Sequence, residues 1–201
     1  MKLFVGLGNP EKKYEKTRHN AGYMALDSFV RACENQGTFF LICREKNSEY
    51  EIVEYEWTHE NKKETLLCVW PQTFMNRSGE IARKLMRFHK KKMTSSKDIV
   101  VLHDDIDIPI GKLKIDINSS SGGHKGVQNI IDQLGTKEFI RFRIGIQPIH
   151  KTSFATEEFV LKKFSKEEEG ILNEVYSTVG VALQVLLEHG LSKTQNIYNK
   201  K

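Results

Sequence analysis

Cysteine is scarce. Cys33, Cys43 and Cys68 are the three in 201 residues, an odd number with no Cys-x-x-Cys spacing. That excludes a disulfide frame and the common zinc sites, and fits reduced thiols in a cytoplasmic protein. Proline is also rare, with four, and no Pro/Gly/Ser-rich linker, internal repeat or low-complexity block divides the chain. It therefore reads as a single domain over 1–201. No apolar run approaches the ~18–20 residues of a membrane helix. The start, Met1–Gly6, lacks the long apolar stretch of a signal peptide, so a cytoplasmic location without membrane attachment is expected. No Gly-x-Ser-x-Gly elbow, His-Glu-x-x-His pair or Walker loop occurs. Gly6-Leu7-Gly8 hints at a dinucleotide loop, but the third glycine would fall at Glu11 and Pro10 sits where a helix should open. None of the cysteines lies in a glycine-rich or helix-N-terminal setting that would activate a thiolate.

What is present is an ordinary globular composition, 39% apolar, with net charge +5. The charge is unevenly spread. Residues 71–125 hold 11 basic and 6 acidic side chains, whereas residues 1–70 hold 10 and 11. A basic excess permits a nucleic-acid partner without establishing one. Part of it, Arg83 to Lys92, reads equally well as a solvated helix face.

Periodicity gives the elements. Strands are expected at 2–8, at 50–58 paired with 65–70, at 98–103, 112–117 and 139–146. Lys112–Ile117 and Phe139–Ile146 alternate, with Arg141 and Arg143 on one face of the second. Helices are expected at 21–33, 78–89, near 127–134 with Gly135 as the stop, and from a Ser165–Glu168 capping box to about Glu188. Interleaved strands and helices argue for an α/β layered sheet, with sites at the loops beyond the strand ends.

Four polar clusters occupy such loops: Gly8–Asn20, Pro71–Gly79, His103–Gly111 and Ser119–Gly126. His103, Asp104, Asp105 and Asp107 raise a metal reading, but their spacing matches neither an EF-hand nor a zinc protease. An aspartate there has a second use, orienting a histidine on another loop. The candidate histidine is His19. With no serine elbow or activated thiol to serve, its client as a base is water.

Gly8-Asn9-Pro10 with Tyr14 and Thr17-Arg18-His19-Asn20, Gln72–Asn76 with Ser78-Gly79, Asp104-Asp105-x-Asp107-x-Pro109-x-Gly111, and Gly122-Gly123-His124-x-Gly126 occur in one order. In these motifs the chain resembles the bacterial peptidyl-tRNA hydrolases, from residue 3 to about 190. The resemblance implies a single α/β domain with a twisted, mixed and mostly parallel sheet flanked by helices. It implies a monomer with no metal, cofactor or obligate protein partner. It implies hydrolysis of the ester between a peptide and the 3′-terminal ribose of tRNA. His19 then matches the catalytic base and Asp104 its partner. Asn9 and Asn76 match substrate-binding asparagines, and Tyr14 and Phe74 match aromatics of the cleft, with Phe74 and Met75 as plain core the other reading. Lys114 and Arg143 match contacts to the 5′-phosphate and acceptor stem. The chain departs from the family at Lys125, where an asparagine is usual, at Glu11 in place of glycine, and at Asp116 in place of a second lysine. Lys125 keeps a donor and adds charge. The tail after Gly190 is either a mobile lid or a frayed end. The competing functional reading is a non-catalytic RNA-binding relative of the same fold.

Overall fold

The computed structural model describes residues 1–149 and 154–199. The strands are β1 (Lys2–Gly6), β2 (Phe39–Lys46), β3 (Tyr50–His59), β4 (Lys62–Pro71), β5 (Ile99–Pro109), β6 (Leu113–Ile117) and β7 (Ile140–Gln147). The helices are α1 (Ala21–Cys33), α2 (Ser78–Phe88), α3 (Lys125–Leu134), α4 (Thr156–Phe159) and α5 (Lys166–Tyr198). The strands form one seven-stranded sheet in the order β2-β3-β4-β1-β5-β7-β6.

The sheet is mixed but not mostly parallel. The central junctions β4–β1, β1–β5 and β5–β7 are parallel. The outer ones, β2–β3, β3–β4 and β6–β7, are antiparallel. Two of those outer junctions are joined by turns of two or three residues, which can connect only antiparallel strands. The extra antiparallel junction comes from β2, a strand that periodicity does not reveal. It is the sheet edge, exposed from Phe40 onward, so it has no in/out alternation to read.

Side-chain alternation sorts the core into two layers. Phe4, Val100, Leu102, Phe142 and Ile144 pack under α1 and α5, while Leu3, Val5, Val101 and Phe139 pack under α2 and α3. Gly22 makes the α1 contact possible: a Cβ there would lie 2.0 Å from the Leu102 carbonyl oxygen. Only glycine lets the start of α1 rest on β5 at Leu102. By length and composition α5 is apolar enough to cross a membrane. Its Leu172, Val175, Val179, Ala182 and Leu183 are buried in the core layer with α1, the pattern of a core helix.

In this structure residues 191–198 of the tail are helical. α5 breaks at Gly190 and then resumes. Gln195 and Asn199 donate to the Ile115 carbonyl, and the Ile115 amide donates to Asn199 Oδ1. The tail helix therefore satisfies the outward backbone groups of Ile115, in the middle of edge strand β6. Lys200 and Lys201 lie outside the described residues.

Candidate active site

The loop after β1, the middle of β5 at Asp104–Ile106, the start of α3 and the segment 156–161 enclose a cleft of about 420 Å³. Asn9, Tyr14, His19, Phe74, Asn76, Asp104 and Lys125 all line it. Seven of the nine residues singled out from the sequence therefore converge. Lys114 and Arg143 lie outside it, on neighbouring positions of β6 and β7.

His19 sits in a short 3-10 turn before α1. Its backbone N–H donates to Val160, and that of Arg18 to Lys162. The buried Arg18 guanidinium donates to both Glu168 oxygens at 2.9 and 2.7 Å and stacks on Phe159. Glu168 is also the capping-box residue of α5, accepting from the Ser165 backbone N–H at 2.7 Å. One carboxylate thus starts α5 and pins the turn that carries His19.

Asp104 is buried at the centre. His19 Nδ1 lies 3.0 Å from its Oδ1 and 3.2 Å from its Oδ2. His124 Nε2 lies 3.0 Å from Oδ1. The proton positions follow from the partners. His124 is the N-cap of α3, and its Nδ1 accepts from the backbone N–H groups of Gly126 and Val127 at 3.1 and 3.2 Å. Its proton is therefore on Nε2 and points at Asp104. Burial opposes ionisation of Asp104, but the charge interactions with His19 and then His124, with a hydrogen bond from each, hold it well below the usual carboxylate range. An ionised Asp104 only accepts, so Nδ1 of His19 donates and Nε2 carries the lone pair on the cleft side. For His19 burial lowers the pKa, yet attraction to Asp104 and its hydrogen bond outweigh burial and the nearby Lys125, so the net shift is upward.

His124 is the residue that the sequence reading passed over. Its signal was its place, directly before the apolar stripe of α3, where an N-cap belongs. His103 is buried next to it, with ring centroids 4.9 Å apart. His103 Nδ1 donates to the Asp104 carbonyl at 2.7 Å, and burial keeps it neutral.

His19, Asp104 and His124 also form a group with metal-ligand potential, their donor atoms lying within 4.8 Å of one another. The donor chemistry does not fit a cation. To ligate through Nε2, His124 would lose its remaining proton and become an imidazolate, because Nδ1 already accepts two amide protons. Nor do the other carboxylates of β5 converge: Asp105 Oδ2 pairs with Arg143 at 2.7 Å, and Asp107 is exposed.

Asn9 is held on three sides. Its Oδ1 accepts from the Met75 amide at 2.9 Å, and Asn20 bonds both its backbone groups. That leaves its side-chain NH₂ for the cleft. Phe74 and Met75 divide: Met75 is buried in the core, whereas Phe74 is 50% exposed and forms cleft wall. Asn76 is exposed beside it, and Tyr14 is half-buried opposite.

The basic face of β7 is not what alternation suggested. Arg141 is wholly buried, donating to Ser119, Ser120 and Lys137 and stacking on Phe139. It holds the loop before His124. Arg143 donates to Asp105 at 2.7 Å and to Asp116 at 2.8 Å. In this structure its charge is therefore paired with two carboxylates. Lys114 beside it is exposed, with no carboxylate partner among the described residues.

Fold and site together define an α/β domain in which a carboxylate-held histidine opens onto a cleft of amide and aromatic side chains. The chain belongs to the peptidyl-tRNA hydrolase family, whose sequence model matches residues 3–201. It is 43% identical to the peptidyl-tRNA hydrolase of Thermodesulfovibrio yellowstonii over the full length of both chains. It is 38% identical to that of Geotalea daltonii, covering 100% of this chain and 97% of the relative. The Arg119Gln mutant of Acinetobacter baumannii peptidyl-tRNA hydrolase superposes with a TM-score of 0.80 at 26% identity, covering 99% of this chain and 94% of that one. The activity is accordingly that of an ester hydrolase acting on peptidyl-tRNA.

Proposed function

We propose that His19 is the general base of this hydrolysis and that Asp104 orients it. The observation that carries the reading is the ionised Asp104 fixing Nδ1–H of His19, which leaves Nε2 as the base on the cleft side. Nε2 takes a proton from water, the water oxygen attacks the ester carbonyl, and Asp104 stabilises the imidazolium that forms. The ribose hydroxyl leaves with the proton returned by His19. A ribose ester has a better leaving group than an amide, so a positioned base and a few donors to the oxyanion suffice.

The substrate fits the walls. The unpaired terminal adenine stacks on Phe74 and Tyr14, and the amides of Asn9 and Asn76 hold the ester and the first peptide group. The acceptor stem runs along the β6 edge, where Lys114 takes a backbone phosphate without reading sequence. Arg143 supports that edge by holding Asp105 and Asp116. The enzyme works in the cytoplasm as a single chain.

The test is release of N-acetylated amino acid from N-acetylaminoacyl-tRNA, with and without a chelator, by the wild type and His19→Ala. Release that survives chelation and vanishes in the variant is expected. Wild type that binds tRNA without cleaving it would establish the RNA-binding relative instead. Loss on chelation would overturn the base mechanism.

A further inference from the structure

Lys125 opens α3 on one wall of the cleft, and Glu157 in α4 stands on the facing wall. The Lys125 ammonium and a Glu157 carboxylate oxygen meet at 2.9 Å, and both side chains are exposed. This is a contact across the cleft mouth, joining parts of the chain that no backbone hydrogen bond connects among the described residues. A helix start ordinarily binds anions through its free amides. Here the amides of Gly126 and Val127 are taken by the His124 ring. The cation left at this helix start for an incoming anion is Lys125.

We propose that Lys125 is a phosphate site for the single-stranded 3′ end of the substrate, and that Glu157 is a placeholder which the phosphodiester displaces. This rests on the reading of the cleft as the tRNA-end site. A carboxylate and a phosphate oxygen offer the same acceptor chemistry to an ammonium. An exposed ion pair holds only weakly, so the exchange costs little. Glu157 then sets how tightly the end is held. With the carboxylate bound, Lys125 is neutralised and the mouth does not retain RNA ends after cleavage. With phosphate bound, Glu157 is released toward solvent, where its exposure already leaves it.

The experiment compares KM and kcat of wild type, Glu157→Gln, Lys125→Asn and the double variant. Two substrates are used: N-acetylaminoacyl-tRNA, and the 3′ ester of N-acetylated amino acid on adenosine, which carries no phosphodiester. Glu157→Gln is expected to lower KM for the tRNA ester about three-fold with kcat within two-fold, an effect the size of one exposed pair. Its KM should rise more steeply with salt, by about one single-strand phosphate contact. Its KM for the adenosine ester should match wild type, and in the Lys125→Asn background the substitution should change nothing. An unchanged or higher KM on tRNA would overturn the proposal. So would an equal fall on the adenosine ester, or a fall that persists without Lys125. Inorganic phosphate that competes equally well against both substrates would identify a free-phosphate site instead and overturn the phosphodiester assignment. Wild type that fails to cleave either ester would overturn the parent reading, a result distinct from any of these.

Discussion

Asp104 and Asp105 are neighbours on one strand, both largely buried, and the structure uses them for opposite purposes. Strand alternation sends Asp104 toward α1 and Asp105 toward α3. Asp104 meets two imidazoles, at 3.0 Å each. Asp105 meets the Arg143 guanidinium at 2.7 Å. A guanidinium keeps its proton at any pH the protein meets, so its pair is a fixed strut. An imidazole exchanges its proton near neutrality, so the same carboxylate beside it becomes part of a relay. The partner, not the acid, decides which aspartate does chemistry.

Removing the charge from each acid breaks this comparison most severely. Asp104→Asn should lower kcat/KM by roughly 10³-fold, since the histidine loses both its orientation and the anion that supports its charge. The pH profile adds a direction. The base must be neutral, and His19 sits above the ordinary histidine value near 6.5. Wild-type kcat/KM should therefore fall as pH drops through a midpoint above that value. In Asp104→Asn only burial and Lys125 remain, both of which lower the His19 pKa, so the residual activity should hold to lower pH. A midpoint that stays in place would mean that Asp104 does not tune His19.

His124→Ala should have the next largest effect, about ten-fold in kcat, from loss of one hydrogen bond to a buried charge. The midpoint should move the other way. Without the second donor, the Asp104 charge acts on His19 alone and raises its pKa further. A purely structural N-cap would lower thermal stability without moving the pH midpoint, and that result would reduce His124 to a cap.

Much of this pair was legible before any coordinates. Asn9, His19 and Asp104 stand in ordered motifs; Asn9 follows β1 and His19 precedes α1 as expected, whereas Asp104 lies within β5, which runs on to Pro109 past the end expected at 103. The buried cations were not legible. Period two sets Arg141 and Arg143 on one face, but it cannot say that Ser119, Ser120 and Asp116 fold over that face and consume them. Those contacts span 21 to 27 residues of sequence. The edge strand β2 was equally hidden, because a strand exposed on both faces has no pattern to betray it. The parallel centre was readable from the continuous apolar run at Ile99–Leu102, while the count of antiparallel junctions was not.

The Arg143 strut gives a smaller and different response. Arg143→Ala leaves two carboxylates facing each other, partly screened by solvent, and should cost about 1–3 kcal/mol in thermal or denaturant unfolding. Its kcat should stay within about three-fold of wild type. Its salt dependence should match wild type, because the guanidinium charge is already spent. Lys114→Ala should instead raise KM about three-fold and flatten the salt slope by about one phosphate contact. If Arg143→Ala flattens the slope as well, the guanidinium exchanges a carboxylate for phosphate on binding, and the strut is also a grip.

The smallest expected effect is at Lys125. Lys125→Asn should keep at least about half of wild-type kcat/KM, since asparagine still supplies a donor and the lysine must first give up Glu157 to offer its charge. The substitution also removes a cation that lowers the His19 pKa, so the pH midpoint should rise slightly, in the same sense as His124→Ala and opposite to Asp104→Asn. Loss of most of the activity with an unmoved midpoint would show that the ammonium stabilises the transition state directly. The chemistry would then rest on a cation across from Asp104 as much as on the aspartate, and the contrast between relay and strut would no longer describe the site.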